Sequence, residues 1–126
     1  MPMTLARLVP FAALALLLAA CTSGGIGRTD DTYSAAEIRT ILAGKSWRFS
    51  GPNNSGVTLY ATDGTSLVEV DGKGTTTGRW MTKDGELCES FAPAPFLPGG
   101  VAMTCYPFSG SGNSYRAGEA SFQLAS

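Results

Sequence analysis

The sequence predicts a mainly β domain: a small antiparallel meander of about seven or eight short strands, barrel-like or a strongly curved sheet, with one short N-terminal α-helix. Two patterns carry that prediction. From Trp47 onward, apolar and polar residues alternate with a period of two in short runs that are separated by glycine-bearing turn signals. Ahead of them, Ser34-Ala35-Ala36-Glu37 is the single strong helix-start signature.

In that signature the serine oxygen can accept from the backbone N–H of Glu37, while the glutamate reaches back to Ser34. Tyr33 and Ile38 stand at the staple positions, and Ile38, Ile41 and Leu42 make one apolar stripe. Gly44 is placed to end the helix in a left-handed cap. The expected role is a plug on one end of the sheet.

The strands follow in order. Trp47 and Phe49 flank Arg48; Val57, Leu59 and Ala61 alternate with Thr58 and Tyr60; Ser66, Val68 and Val70 alternate with Leu67 and Glu69. Each run reads as a short strand with one buried face. Further strands are expected over residues 75–82, 86–91, 101–106, 113–116 and 120–124. Between the runs lie Gly51-Pro52-Asn53-Asn54-Ser55-Gly56, Asp63-Gly64, Asp71-Gly72 and Asp84-Gly85, where glycine accepts the positive φ of tight hairpins. No step requires a parallel crossover. Trp47, Trp80, Tyr60 and Tyr106 read as core and rim aromatics.

The first twenty residues belong to a different regime. Arg7 is followed by residues 8–20, which contain no charged or strongly polar side chain, the pattern of a secretory signal. Thirteen helical residues rise about 20 Å against a hydrocarbon core of roughly 30 Å, and Pro10 interrupts the run, so a permanent membrane span is not expected. The run ends in Leu18-Ala19-Ala20-Cys21, which resembles the lipobox of bacterial lipoprotein precursors. The resemblance implies cleavage between Ala20 and Cys21, with lipidated Cys21 as the mature N-terminus and membrane anchor. The expected organisation is a signal peptide over 1–20, lipidated Cys21 and a flexible tether over 21–33, and a single β-rich domain over 34–126. Thr22 stands where some bacterial lipoproteins carry a retention aspartate. By that likeness the protein is expected at the outer membrane, facing the periplasm.

Without the leader, eight Lys/Arg stand against ten Asp/Glu, a net charge of −2 with no basic cluster. That composition offers no electrostatic footprint for nucleic acid or anionic headgroups. Histidine is absent, which excludes Ser-His-Asp and Cys-His nucleophile activation and removes the commonest metal ligand. No catalytic residue, metal or cofactor is expected. With Cys21 assigned to the lipid, Cys88 and Cys105 are an even pair in an oxidising compartment, where a disulfide is the default.

The two cysteines bracket a segment stiffened by Pro93, Pro95 and Pro98, in which Phe96 and Leu97 are large apolar residues. Two roles are open to them: an inward lid over the open end of the sheet, or an outward anchor for a ligand or partner. Asp84, Glu86 and Glu89 are the densest carboxylate cluster, the residue types used in glycoside hydrolysis or cation binding. Around an Asp-Gly turn, however, acids are the ordinary furniture of a solvated hairpin, and that is the expectation here.

Leu42-x-Gly44-Lys45, Tyr60-x-x-Asp63-Gly64, Gly78-Arg79-Trp80, Asp84-Gly85-x-Leu87-Cys88 and Cys105 together resemble a small bacterial secreted domain of uncharacterised function. Ser109-Gly110-Ser111-Gly112-Asn113-Ser114-Tyr115 resembles the serine-bearing inhibitory loop of membrane-anchored inhibitors of C-type lysozyme, which are lipoproteins with a compact β-barrel and a disulfide. In those inhibitors a second loop carries a lysine. No lysine follows Lys83 here, and Arg116 would take its place. The resulting expectation is a lipid-anchored, non-catalytic envelope protein that binds an envelope protein or small ligand or has a structural role. Its candidate binding surface is Phe96, Leu97, Ser109, Tyr115 and Arg116. Lysozyme inhibition and a carboxylate-dependent envelope enzyme are the alternatives.

Overall fold

The computed structural model describes residues 32–126; the expected signal peptide, lipobox and all but the end of the tether lie outside the described residues. The helix α1 (Ala35–Leu42) begins at the capping box, with both reciprocal hydrogen bonds formed between Ser34 and Glu37. Ile38 and Leu42 are fully buried, and Ile41 packs partly against the same cluster. Gly44 is left-handed (φ 76°), but its N–H leaves the helix and donates to the Tyr60 carbonyl at 2.6 Å, which turns the chain directly into the sheet.

Eight strands follow: β1 (Lys45–Ser50), β2 (Ser55–Tyr60), β3 (Thr65–Val70), β4 (Gly74–Lys83), β5 (Glu86–Phe91), β6 (Val101–Ser111), β7 (Ser114–Ala117) and β8 (Ala120–Leu124). Each pairs antiparallel with the next, and β1 also pairs with β8, Trp47 opposite Leu124 and Ser50 opposite Ser121. The meander is therefore a closed barrel, which removes the sheet edges that would otherwise expose unpaired backbone groups. Closure at this size needs sharply coiled walls. Gly56 and Gly78 permit them: a Cβ on Gly56 would stand 1.9 Å from the Glu69 carbonyl oxygen, and one on Gly78 2.2 Å from that of Ser90.

Alternation sends one face of every strand inward, and in β2 the choice differs from the one hydrophobicity suggests. Gly56, Thr58 and Tyr60 face the lumen, while Leu59 is left 37% exposed on the outside. The reason is register. Tyr60 must meet Trp80, whose ring centroid lies 5.1 Å away, and a one-residue slip would put every β2 side chain on the wrong face.

The barrel has two unlike ends. At one end α1 lies across the β2–β3 and β4–β5 turns: the Arg39 guanidinium donates to the Thr62 carbonyl, and Thr82 Oγ1 donates to the Ala35 carbonyl at 2.8 Å. Asp84 Oδ1 accepts the Ala35 N–H at 2.9 Å. Beneath the helix, Ile38, Leu42, Trp47, Trp80, Leu87 and Phe108 belong to one packed cluster. The other end is ringed by the 51–54, 71–73 and 118–119 turns and by the proline-bearing segment 92–100.

Cys88 and Cys105 are directly opposed across β5 and β6 and form the expected disulfide. Closing a loop of 17 residues removes chain entropy from the unfolded state worth about 3 kcal/mol. In segment 92–100, Ala94 and Leu97 exchange backbone hydrogen bonds of 3.1 and 2.8 Å, so the segment folds on itself. Phe96 and Leu97 are half-buried there. The Phe96 ring lies against Gly74, 3.5 Å from where a Cβ on that glycine would stand.

Candidate ligand-binding lumen

The unplugged end opens into a cavity of about 560 Å³. This lies within the roughly 300–1,000 Å³ of ordinary small-molecule sites, and an eight-stranded barrel is wide enough to hold one small ligand. Phe49, Phe91, Tyr106 and Phe122 contribute aromatic wall, Thr58, Tyr60, Val68 and Glu89 lie deeper in the lumen, and Asn53, Asn54 and Glu119 stand on the rim turns. No lysine or arginine is among the lining residues.

Glu89 gives the cavity its chemistry. On β5 Leu87, Cys88 and Glu89 are all buried; Leu87 joins the core cluster, while Glu89 and, two residues on, Phe91 line the cavity. The disulfide to Cys105 pins that register one residue away from the carboxylate. Immediately beyond, the β5–β6 ladder shifts: Glu89 pairs with Thr104, but Phe91 pairs with Val101, so β6 carries an extra residue beside the carboxylate. Bulges of this kind bend a strand and re-aim side chains, and they concentrate at barrel rims and functional sites.

The Glu89 side chain is almost sealed, with 8% residue exposure. The Tyr60 hydroxyl donates to its Oε1 at 3.1 Å, and Oε2 accepts from no other described residue. No cation lies within ion-pairing distance of it among the described residues; Arg48 and Asp71 pair elsewhere, on the outer surface. Burial raises the Glu89 pKa to about 7, against a smaller downward pull from the Tyr60 hydrogen bond. Tyr60 is in turn pushed well above its ordinary value, first by burial and then by the Glu89 charge. The carboxyl group is thus poised to gain or lose a proton near neutrality, inside an aromatic chamber.

The other residues singled out by sequence do not join it. Phe96 and Leu97 are half-buried at the open end, with Phe96 packed toward Gly74, but neither lines the cavity. Ser109 and Arg116 are cross-strand neighbours on the exposed outer face of β6 and β7. Tyr115 is a correction to the expected surface. Its ring is 6% exposed, stacked on Phe108 at 5.2 Å and edge-on to Trp47 at 5.7 Å, because β7 turns Tyr115 and Ala117 inward and Ser114 and Arg116 outward. Ala20 and Cys21 lie outside the described residues.

The carboxylate cluster is also taken apart. Asp84 caps the helix, Glu86 lies outside with its oxygen within 4.8 Å of the Cys88 and Cys105 sulfurs, and Glu89 is inside. The two sulfurs are bonded to each other, so they offer no thiolate to a metal. The expectation of a solvated hairpin holds for Asp84 but fails for Glu89. Its signal was Leu87-x-Glu89-x-Phe91, an acid in step with two apolar neighbours. A second depression, of about 600 Å³, runs along the outer wall past Leu59, Leu67, Thr77 and Arg79, but no buried titratable group converges on it.

Fold and site together define a class: a small closed antiparallel barrel, plugged by a helix at one end and open at the other onto a ligand-sized chamber with a buried acid. Comparison with protein-family models, curated proteins and solved structures returns no match for the chain.

Proposed function

We propose that this chain is a lipid-anchored, non-catalytic protein of the bacterial cell envelope whose barrel binds a small molecule in its lumen. The observation that carries the reading is Glu89, a carboxyl group buried in an open-ended cavity with no cation beside it among the described residues. A wall residue with a purely structural duty would be more stable as an apolar side chain of similar size. A carboxyl with a strongly perturbed pKa in a cleft is instead the mark of a binding or chemical site. The separation of Asp84, Glu86 and Glu89, and the lack of histidine, favour binding over catalysis.

The anchor rests on Leu18-Ala19-Ala20-Cys21, and the Cys88–Cys105 disulfide supports an oxidising compartment. Intact-mass analysis of the mature protein tests it: a diacylglyceryl mass on Cys21 is expected, and an unmodified N-terminus removes the anchor. The binding reading is tested by a small-molecule screen followed by amide chemical shifts. Hits are expected to move Phe49, Glu89 and Gly118; hits confined to the outer wall would refute it.

One observation favours a second reading, lysozyme inhibition. Ser109 stands directly opposite Arg116 on an exposed hairpin, which gives a serine and a cation side by side. Adding excess protein to a lysozyme lysis assay decides it, and unchanged lysis removes the idea.

A further inference from the structure

We infer that the lumen selects a small organic cation, an ammonium group carried on an apolar or aromatic body, with the ammonium paired to Glu89. This deepens the small-molecule reading above and rests on it.

Three features of the chamber converge on that ligand class. The first is charge. The two ionisable carboxyl groups that line the cavity, Glu89 in its depth and Glu119 on its rim, are both acidic, and no basic side chain lines it to receive an anion. The second is the state of Glu89. One oxygen takes the Tyr60 hydrogen bond, and the other takes none from the described residues, so a donor arriving in the cavity finds a free acceptor. A neutral guest would leave the ionised carboxylate buried and unpaired, whereas a cation offsets that desolvation directly. The third is the wall. Phe49, Phe91, Tyr106 and Phe122 present ring surface, and aromatic faces attract an ammonium through their quadrupole as well as burying its apolar body.

Protonation gates the pairing. Burial holds the carboxyl pKa at about 7, so the acceptor is largely ionised at pH 8 and largely neutral at pH 5. The other titratable groups lining the chamber are the Tyr60 and Tyr106 hydroxyls and the Glu119 carboxyl. Ammonium binding is therefore coupled to proton release from Glu89, and the affinity for the cation rises with pH across this interval.

The test uses the full-length protein and three probes of nearly equal size: 2-phenylethylammonium, 2-phenylethanol and phenylacetate. Amide chemical shifts locate each probe, and titrations give the affinities. At pH 8 the ammonium is expected to bind at least tenfold more tightly than the alcohol, moving the Phe49, Glu89 and Gly118 amides. Its affinity is expected to fall at least tenfold by pH 5, while that of the alcohol stays level. Glu89→Gln is expected to erase the preference while keeping the wild-type spectrum elsewhere. Should that variant fail to fold, the pH series on the wild-type protein decides alone. Equal lumen affinity for ammonium and alcohol, or a preference for phenylacetate, overturns cation selectivity and leaves small-molecule binding standing. If no probe moves the lumen amides, both readings fall.

Discussion

The Glu89→Gln substitution exposes the energetic consequence of the buried carboxyl in the protein without ligand. An unfolded glutamate titrates near 4.5, whereas the folded one is raised to about 7. Between those values the folded state holds the proton more tightly, so stability falls as pH rises through the window and the whole cost is present above it. A difference of about 2.5 pKa units corresponds to about 3 kcal/mol. The glutamine side chain is isosteric with the native one and does not titrate. The two proteins should therefore unfold alike near pH 4, and the variant should be about 3 kcal/mol more stable at pH 8. With a urea m-value of about 1.5 kcal/mol/M, the midpoints then separate by about 2 M. Other carboxylates cancel in the comparison, and Asp63, whose pKa is lowered by its hydrogen bonds to Thr65, titrates below the window. Urea unfolding at pH 4, 5, 6, 7 and 8 is the assay. Parallel stability curves, or a variant weaker than wild type at pH 8, would refute the reasoning that Glu89 is buried at a cost.

Three further outcomes follow from other parts of the barrel. Tyr60→Phe removes the hydroxyl that lowers the Glu89 pKa, so a carboxyl NMR titration should place Glu89 above its wild-type value; a downward shift would show that this hydrogen bond favours the protonated form. Replacing Cys88 and Cys105 together by alanine should cost about 3 kcal/mol in denaturant unfolding, and thiol titration of native protein should find neither sulfur free. Leu42→Ala, at a fully buried plug position, should cost about 2–5 kcal/mol, and a loss below about 1 kcal/mol would mean that the helix is not seated as described.

Much of this architecture was legible in local pattern. The capping box, the hairpin glycines and the period-two runs mark the helix and the strands because each depends on neighbours a few residues away. Closure was not legible, since pairing of β1 with β8 joins residues more than seventy positions apart and no local signal encodes it. The inward face of β2 was hidden for a related reason: Val57 and Leu59 outrank Thr58 in hydrophobicity, but Tyr60 and Gly56 decide the register through Trp80 and the Glu69 carbonyl. Tyr115 fell in an expected strand but was assigned to the surface through the likeness of residues 109–115 to an inhibitory loop; β6 continues to Ser111, and on β7 the phase set by Ala117 turns Tyr115 inward. Glu89 lay in plain view among three acids. Only its phase with Leu87 and Phe91 separates it from Asp84 and Glu86, and that phase matters only once the inside of a barrel exists.

The unlike ends give the molecule a direction. The chain enters the described domain at the stoppered end, where the Tyr33 carbonyl accepts the Gly85 N–H at 2.7 Å and the Tyr33 hydroxyl donates a hydrogen bond to the Gly110 carbonyl. The point where the described chain enters the barrel and the mouth of the cavity therefore lie at opposite ends, so the helix and the residues leading into it stay clear of the aperture.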